Sequence, residues 1–231
     1  MSASDDFPVP AGRPPLSGAG ARLTFLPDPR VSAAAPLLEE RLEMAGRQVT
    51  GENFGSLLDS LMERMITDAF LDVKADTGLI LLRGPDGNEL AVAHQVGGAG
   101  KNLRGLNLPA GTGRRGLVLA SQQPFCGNGQ EEDALKPHSL AAALERAVRA
   151  EIIVPFYLGR QFKGLIIALQ TQPPPPAGSS STVLDLPGAS SGRPEPEGFC
   201  PRCLEEIELL STSLGRLLDY QLICTALGMP V

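Results

Sequence analysis

Residues 78–96 of this 231-residue chain read GLILLRGPDGNELAVAHQV, and this stretch decides the fold class. The apolar run at 79–82 is typical of a buried strand, and an alternating pattern resumes over 89–96. Between the two, GPDGN at 84–88 is a dense turn signal. The sequence therefore predicts a β-hairpin within a larger sheet.

Helices are predicted on both sides of this hairpin in the sequence. Apolar residues recur at three- and four-residue intervals over 54–66, where Thr50 is the expected N-cap, and again over 204–218. The other predicted elements are a short helix from Leu37, a weak strand near 106–108, a short helix over 117–119, a polar loop over 124–148 with some helical character, and strands at 151–157 and 162–169. This order predicts an α+β fold with a largely antiparallel sheet covered by helices.

Two segments are rich in proline, glycine and small residues, and both are predicted to lack a packed core. Residues 1–33 are expected to form a disordered arm, and residues 172–198 a flexible insertion. The remaining chain is long enough for one domain with a sizeable core. We therefore expect a single domain over 34–226, interrupted by the insertion and followed by a tail at 227–231.

Charge and hydropathy exclude two classes of partner at this stage. The formal net charge is −6 and the basic residues form no dense stripe, so nucleic acid is not an expected partner. No stretch approaches the roughly 20 apolar residues of a membrane helix, so no membrane association is expected. The N-terminus has no signal-peptide pattern, and four cysteines without one indicate a cytoplasmic protein with reduced thiols.

Four segments together resemble the GAF family over roughly residues 50–226. The helix and hairpin resemble its opening elements, and LPAGTGRRGLV at 108–118 is similar to the turn into its middle helix. QPF at 123–125 resembles the segment after that helix, and the stretch 149–169 is similar to its two long strands. The resemblance implies a GAF-like central antiparallel sheet with a pocket on one face and the N- and C-terminal helices on the other.

The resemblance also implies a ligand site. Family members bind cyclic nucleotides, tetrapyrroles, metabolites or iron, or bind nothing and only dimerise. The ligand-binding residues it implies here are Leu108, Gly113, Phe125, Cys126, His138, Arg149 and Ile153. Arg149 and Glu151 are each expected either to contact a polar ligand or to form a salt bridge.

No catalytic residue and no cofactor is assigned from the sequence. The dispersed signature of the cyclic-nucleotide members cannot be placed, and Cys126 is not followed by the histidine of tetrapyrrole-binding members. Free-methionine sulfoxide reductases, an enzymatic branch, need several cysteines in this central region, where this chain has only Cys126.

The sequence favours a sensory or regulatory module that binds a small ligand and signals to a separate partner protein. A homodimer is expected through 57–66 of the first helix and through Ile207, Leu210, Leu214 and Leu217 of the last. Two alternatives remain open. One is a structural dimerisation or interaction domain without a ligand, and the other is a thiol-based redox or metal-sensing protein, including a reductase-like one.

A Cys-x-x-Cys motif, Cys200-Pro201-Arg202-Cys203, begins the last predicted helix. The helix N-terminus and Arg202 both favour thiolates, so the pair is predicted either to be redox-active or to supply half of a metal site. Cys224 lies about 30 Å further along a continuous helix and is excluded as a further ligand. Cys126 and His138 remain as candidates, and the alternative is that Cys203 simply packs in the core.

Overall fold

The computed structural model describes residues 29–98, 101–129, 139–172, 198–227 and 229. By its internal contacts the chain divides into two units, Met1–Ala35 and Pro36–Val231. Most of the predicted arm, insertion and tail lie outside the described residues, and so does His138. The domain boundaries predicted from the sequence therefore stay predictions.

Five α-helices and one 3₁₀ helix occur among the described residues. They are α1 (Pro29–Gln48), the 3₁₀ helix Phe54–Leu57, α2 (Ser60–Asp72), α3 (Gly113–Ser121), α4 (Leu140–Leu144) and α5 (Pro201–Ala226). The first of these begins before the predicted start at Leu37. None of the helices in this part of the chain combines the length and the apolar character that crossing a lipid bilayer requires.

The start of α2 differs from the prediction. The chain is extended at Leu58, which separates the 3₁₀ helix from α2, so the apolar periodicity over 54–66 spans two elements and not one. Asp59 is the N-cap, and its carboxylate accepts a hydrogen bond of 2.8 Å from the backbone N–H of Met62. The prediction that Thr50 caps this helix is wrong, because the helix begins ten residues later at Ser60.

Six strands form one sheet, in which every pairing is antiparallel. They are β1 (Thr77–Arg83), β2 (Glu89–Gly97), β3 (Asn107–Pro109), β4 (Phe125–Asn128), β5 (Val148–Leu158) and β6 (Gln161–Thr171), in the spatial order β3-β2-β1-β6-β5-β4. β1 and β2 form the predicted hairpin, with a register irregularity between Ile80 and Leu81. The predicted fold class, α+β with an antiparallel sheet and flanking helices, is confirmed.

Two apolar clusters lie on the two faces of the sheet, because successive strand residues point to opposite sides. On the terminal-helix face, Ile80 and Leu82 of β1 pack with side chains from α1, α2 and α5, among them Leu42, Ile66 and Leu214. On the α3–α4 face, Leu79 and Leu81 pack with Val118 of α3 and with Leu140 and Leu144 of α4. The terminal helices therefore share one face, as the resemblance implies.

Candidate functional site

Strand β4 connects the residues of the candidate site, and the sequence did not predict it. Phe125 pairs with Ile153 of β5, and Cys126 pairs with Ile152. The predicted polar loop over 124–148 therefore begins with an edge strand, and α4 lies near its end. A four-residue strand at a sheet edge takes its conformation from backbone pairing with β5, which local sequence patterns do not report.

An ion pair lies on the α3–α4 face beside this strand. Arg114, in the first turn of α3, donates from Nη1 to Oε1 of Glu151 at 2.7 Å, and the Glu151 side chain is only 4% exposed. The guanidinium of Arg114 also lies 5.2 Å from the centre of the Phe125 ring, within the range of a cation–π contact. Of the two alternatives expected for Glu151, a polar ligand or a salt bridge, the structure shows the salt bridge, with a partner that no local pattern could identify.

Four of the residues predicted to bind a ligand lie on or beside this face. Leu108 and Ile153 belong to its buried apolar cluster, and Phe125 packs against that cluster. Gly113 begins α3, directly before Arg114. Another predicted ligand residue, Arg149, is half-buried on β5, two residues before Glu151.

The structure separates Cys126 from Leu108, Phe125 and Ile153. Because neighbouring strand residues alternate, Phe125 faces α3 and α4, whereas Cys126 packs against the cluster under the terminal helices. Burial raises the pKa of the Cys126 thiol, and the nearby Cys203 and Cys200 raise it further. Its neighbours are therefore the thiols of the Cys-x-x-Cys motif, and not the ligand face.

A pair of hydrogen bonds holds the start of α5 against β4. The amide oxygen of Asn128 accepts from the backbone N–H of Phe199 at 2.8 Å, and its Nδ2 donates to the Phe199 carbonyl at 2.9 Å. Phe199 itself is buried in the terminal-helix face. This clamp places Cys200, the next residue, beside the strand that carries Cys126.

The motif brings two thiols into contact. Cys200 is the N-cap of α5 and is exposed, and its Sγ lies 3.1 Å from Sγ of the half-buried Cys203. The hydrogen bond with the Cys203 side chain lowers the pKa of the Cys200 thiol, and backbone N–H groups of the first turn lower it further. Partial burial raises the pKa of the Cys203 thiol. The two thiols are therefore chemically distinct.

Two open cavities lie elsewhere in the described part of the chain. One, of about 350 Å³, lies between β5 and α5, with Ser211 and Asp219 in its wall. The other, of about 310 Å³, is lined by Arg149, Asn128 and Gln170, among others. Among the predicted ligand residues that the structure describes, Arg149 alone lines one of these two cavities.

Comparison with known proteins gives structural similarities only. No protein-family model and no curated protein sequence matches this chain. The GAF-B domain of DevS from Mycobacterium smegmatis is 13% identical, with a TM-score of 0.45, covering 70% of this chain and 93% of that one. The PixJ GAF domain of Thermosynechococcus elongatus is 15% identical, with a TM-score of 0.46 and coverages of 78% and 88%. The GAF domain of an Acinetobacter phosphoenolpyruvate-protein phosphotransferase is 14% identical, with a TM-score of 0.47 and coverages of 80% and 93%.

The architecture of this chain agrees with what the sequence resemblance implies. Its antiparallel sheet carries the terminal helices on one face and the shorter helices α3 and α4 on the other. The fold is α+β, and the ion pair of Arg114 and Glu151 lies on the face where the resemblance implies a pocket.

Proposed function

We propose that this chain is a sensory or regulatory module that binds a small ligand on its α3–α4 face. When the ligand is bound, the module signals to a separate partner protein. The observation that carries the proposal is the ion pair between Arg114 and the buried Glu151, which lies against the Phe125 ring. The ligand-binding residues are Leu108, Gly113, Phe125, His138, Arg149 and Ile153, to which we add Arg114 and Glu151.

The ion pair supports this proposal because the fold alone does not require it. Removing a carboxylate from water costs several kcal/mol, and a well-packed apolar pair often stabilises a core as much as an ion pair does. Charged groups that are shielded from water and arranged with a specific partner are typical of functional sites. The ion pair gives this face a polar centre for the polar group of a ligand, and Phe125 adds an aromatic ring for its apolar part.

The test is native mass spectrometry of the purified full chain, compared with two matched variants. We expect the wild-type chain to retain a small molecule that Glu151→Gln loses, because the amide cannot replace the carboxylate as partner for a cation. Glu205→Gln removes the same charge from an exposed position of α5 and should leave retention unchanged. Circular dichroism checks that all three proteins are folded.

A wild-type mass equal to that of the bare polypeptide would count against the ligand, provided that a second assay agrees. That assay is a thermal-shift screen with small anionic, cationic and zwitterionic compounds, in which a ligand raises the melting temperature by mass action. No stabilisation by any compound, together with a bare mass, would refute the ligand proposal.

We also propose that the module is a homodimer, through the outward side chains of α2 and α5 and not through the buried positions of the predicted surface. The predicted positions Ile66, Ile207, Leu210 and Leu214 are buried against the chain's own sheet. The large apolar side chains that remain outward include Leu61 of α2 and Leu209 and Tyr220 of α5, each about two-thirds exposed (67%, 66% and 65%). These helices pack against each other, which supports a contact shared by both.

Sedimentation at tens of micromolar tests the dimer, since a standard-sized interface holds at that concentration. We expect the wild-type chain to sediment as a dimer and the Leu61→Glu, Leu209→Glu double variant as a monomer. The control is Leu117→Glu on α3, which is 59% exposed on the other face and should stay dimeric. A monomeric wild-type chain would contradict the proposal.

A second candidate function is an interaction module without a ligand. The observation that favours it is the packing of Leu108 and Ile153, which are 3% and 0% exposed within the apolar cluster of the α3–α4 face. A module whose α3–α4 face is filled by its own side chains has no space there for a ligand, so it binds partner proteins through its outer surface. A dimer with a bare mass and no thermal shift would select this function over the first.

We place either function in the cytoplasm. The four cysteines are all free, which supports a compartment that keeps thiols reduced. Fractionation of the producing cells, with the chain recovered in the cytosolic fraction, tests this placement.

A further inference from the structure

The Cys200–Cys203 pair is a second candidate site, on the opposite face of the sheet from the ligand proposed above. Its two Sγ atoms are 3.1 Å apart, and a disulfide bond of about 2.05 Å requires them to approach by only about 1 Å. Cys200 is exposed and Cys203 is half-buried, so one thiol is open to a reagent and the other lies behind it. The motif occupies the first turn of a 26-residue helix, whose N-terminal N–H groups stabilise a thiolate.

The geometry points to a thiol–disulfide exchange site, in which Cys200 and Cys203 are reversibly oxidised by a small disulfide. The Cys200 thiolate attacks one sulfur of that disulfide, forming a mixed disulfide and releasing one thiolate. Cys203 then loses its proton and attacks the Cys200 sulfur, so that the intramolecular bond forms and the second thiolate leaves. In total, two protein thiols are oxidised and one small disulfide is reduced to two thiols.

The difference between the two thiols supports this order of events. Hydrogen bonds to the Cys200 sulfur lower its pKa, and burial raises the pKa of the Cys203 thiol. Nucleophilic attack requires a thiolate that a reagent can reach, and Cys200 meets both conditions. Cys203 is then the resolving thiol, adjacent to the sulfur that it must attack.

The same geometry favours a disulfide over a bound metal. A structural zinc site is four-coordinate. In the part of the chain that the structure describes, no group of three or more His, Cys, Asp or Glu side chains is arranged to hold a metal ion. A two-thiol disulfide needs no further ligand.

Cys126 and Cys224 are not part of the exchange. Burial raises the pKa of the Cys126 thiol, which keeps it in the less reactive protonated form. Cys224 is buried near the other end of α5. Cys126 and Cys224 therefore serve as internal controls for the reaction of Cys200 and Cys203.

The test uses the reduced full chain and glutathione disulfide as the oxidant. We expect two of the four thiols to be lost and then recovered with dithiothreitol. Trypsin cuts after Arg202, between the two cysteines, and not after Arg193, which precedes a proline. Peptides 164–202 and 203–216 should therefore be joined after oxidation and separate after reduction.

Matched serine variants locate the reaction. Cys203→Ser should stop at a mixed disulfide with glutathione on Cys200, and Cys200→Ser should lose no pair of thiols. Cys126→Ser and Cys224→Ser should each still lose two of their three thiols.

Three results would overturn the proposal. They are four thiols that survive oxidation, a disulfide that joins other cysteines, and purified chain with about one zinc ion that protects Cys200 and Cys203. The last result would assign the pair to a metal site.

Discussion

Replacing Asn128 with alanine should loosen the start of α5, because its side chain is the clamp between β4 and Phe199. The substitution removes two hydrogen bonds, of 2.8 and 2.9 Å, in a partly buried position. Hydrogen bonds of this kind each contribute about 0.5–1.5 kcal/mol net. We therefore expect the free energy of unfolding to fall by about 1–3 kcal/mol.

Urea unfolding followed by circular dichroism measures this loss. Asn128→Asp keeps an acceptor for the Phe199 N–H but cannot donate to the Phe199 carbonyl, so it should also destabilise the fold. The control is Asn107→Ala, at an exposed position on the edge strand β3, which should change stability by less than about 0.5 kcal/mol. If Asn128→Ala is as mild as this control, the clamp does not stabilise the fold and the reasoning fails.

Two further predictions concern the sheet. Burial and the neighbouring Arg104 guanidinium lower the pKa of His94, against a smaller opposing effect of Glu63, so the folded state resists protonation. The stabilisation is therefore present above the unfolded pKa of 6.5 and lost as pH falls below it. His94→Asn should reduce the pH dependence of the free energy of unfolding, measured between pH 7 and 5. Gly164→Ala should destabilise the fold by more than about 1 kcal/mol in urea, since its Cβ would overlap a backbone carbonyl oxygen of β1, and wild-type stability would contradict the pairing.

The hairpin and the two long strands could be predicted because their signals are local. An apolar run, a turn rich in glycine, proline and aspartate, and an alternating run together leave few other arrangements. The four residues of β4, Phe-Cys-Gly-Asn, contain one strong strand former, and their conformation depends on β5, which follows about 20 residues later. The N-cap at Asp59 was missed for a related reason, because the apolar periodicity continues through the break at Leu58.

The candidate site could be predicted only in part from the sequence. The family resemblance brought Phe125, Ile153 and Gly113 into one list, and the structure does bring them to one face. The ion pair joins residues 37 positions apart, and no spacing rule connects them. An acidic residue at the head of an apolar strand is the one local signal that singled out Glu151.

Strand β4 is the physical link between the two proposed sites. Its Phe125 faces the ion pair on the α3–α4 face, while its Cys126 and Asn128 face the dithiol and the clamp on the other. Among the described residues β4 pairs with the sheet through β5 alone, so fewer backbone hydrogen bonds hold it in place than hold a central strand. Ligand binding that moves Phe125 therefore also moves the strand that holds the start of α5. Any coupling between the two sites must be reciprocal, so oxidation of the dithiol should change ligand affinity by the same factor by which the ligand changes the oxidation equilibrium.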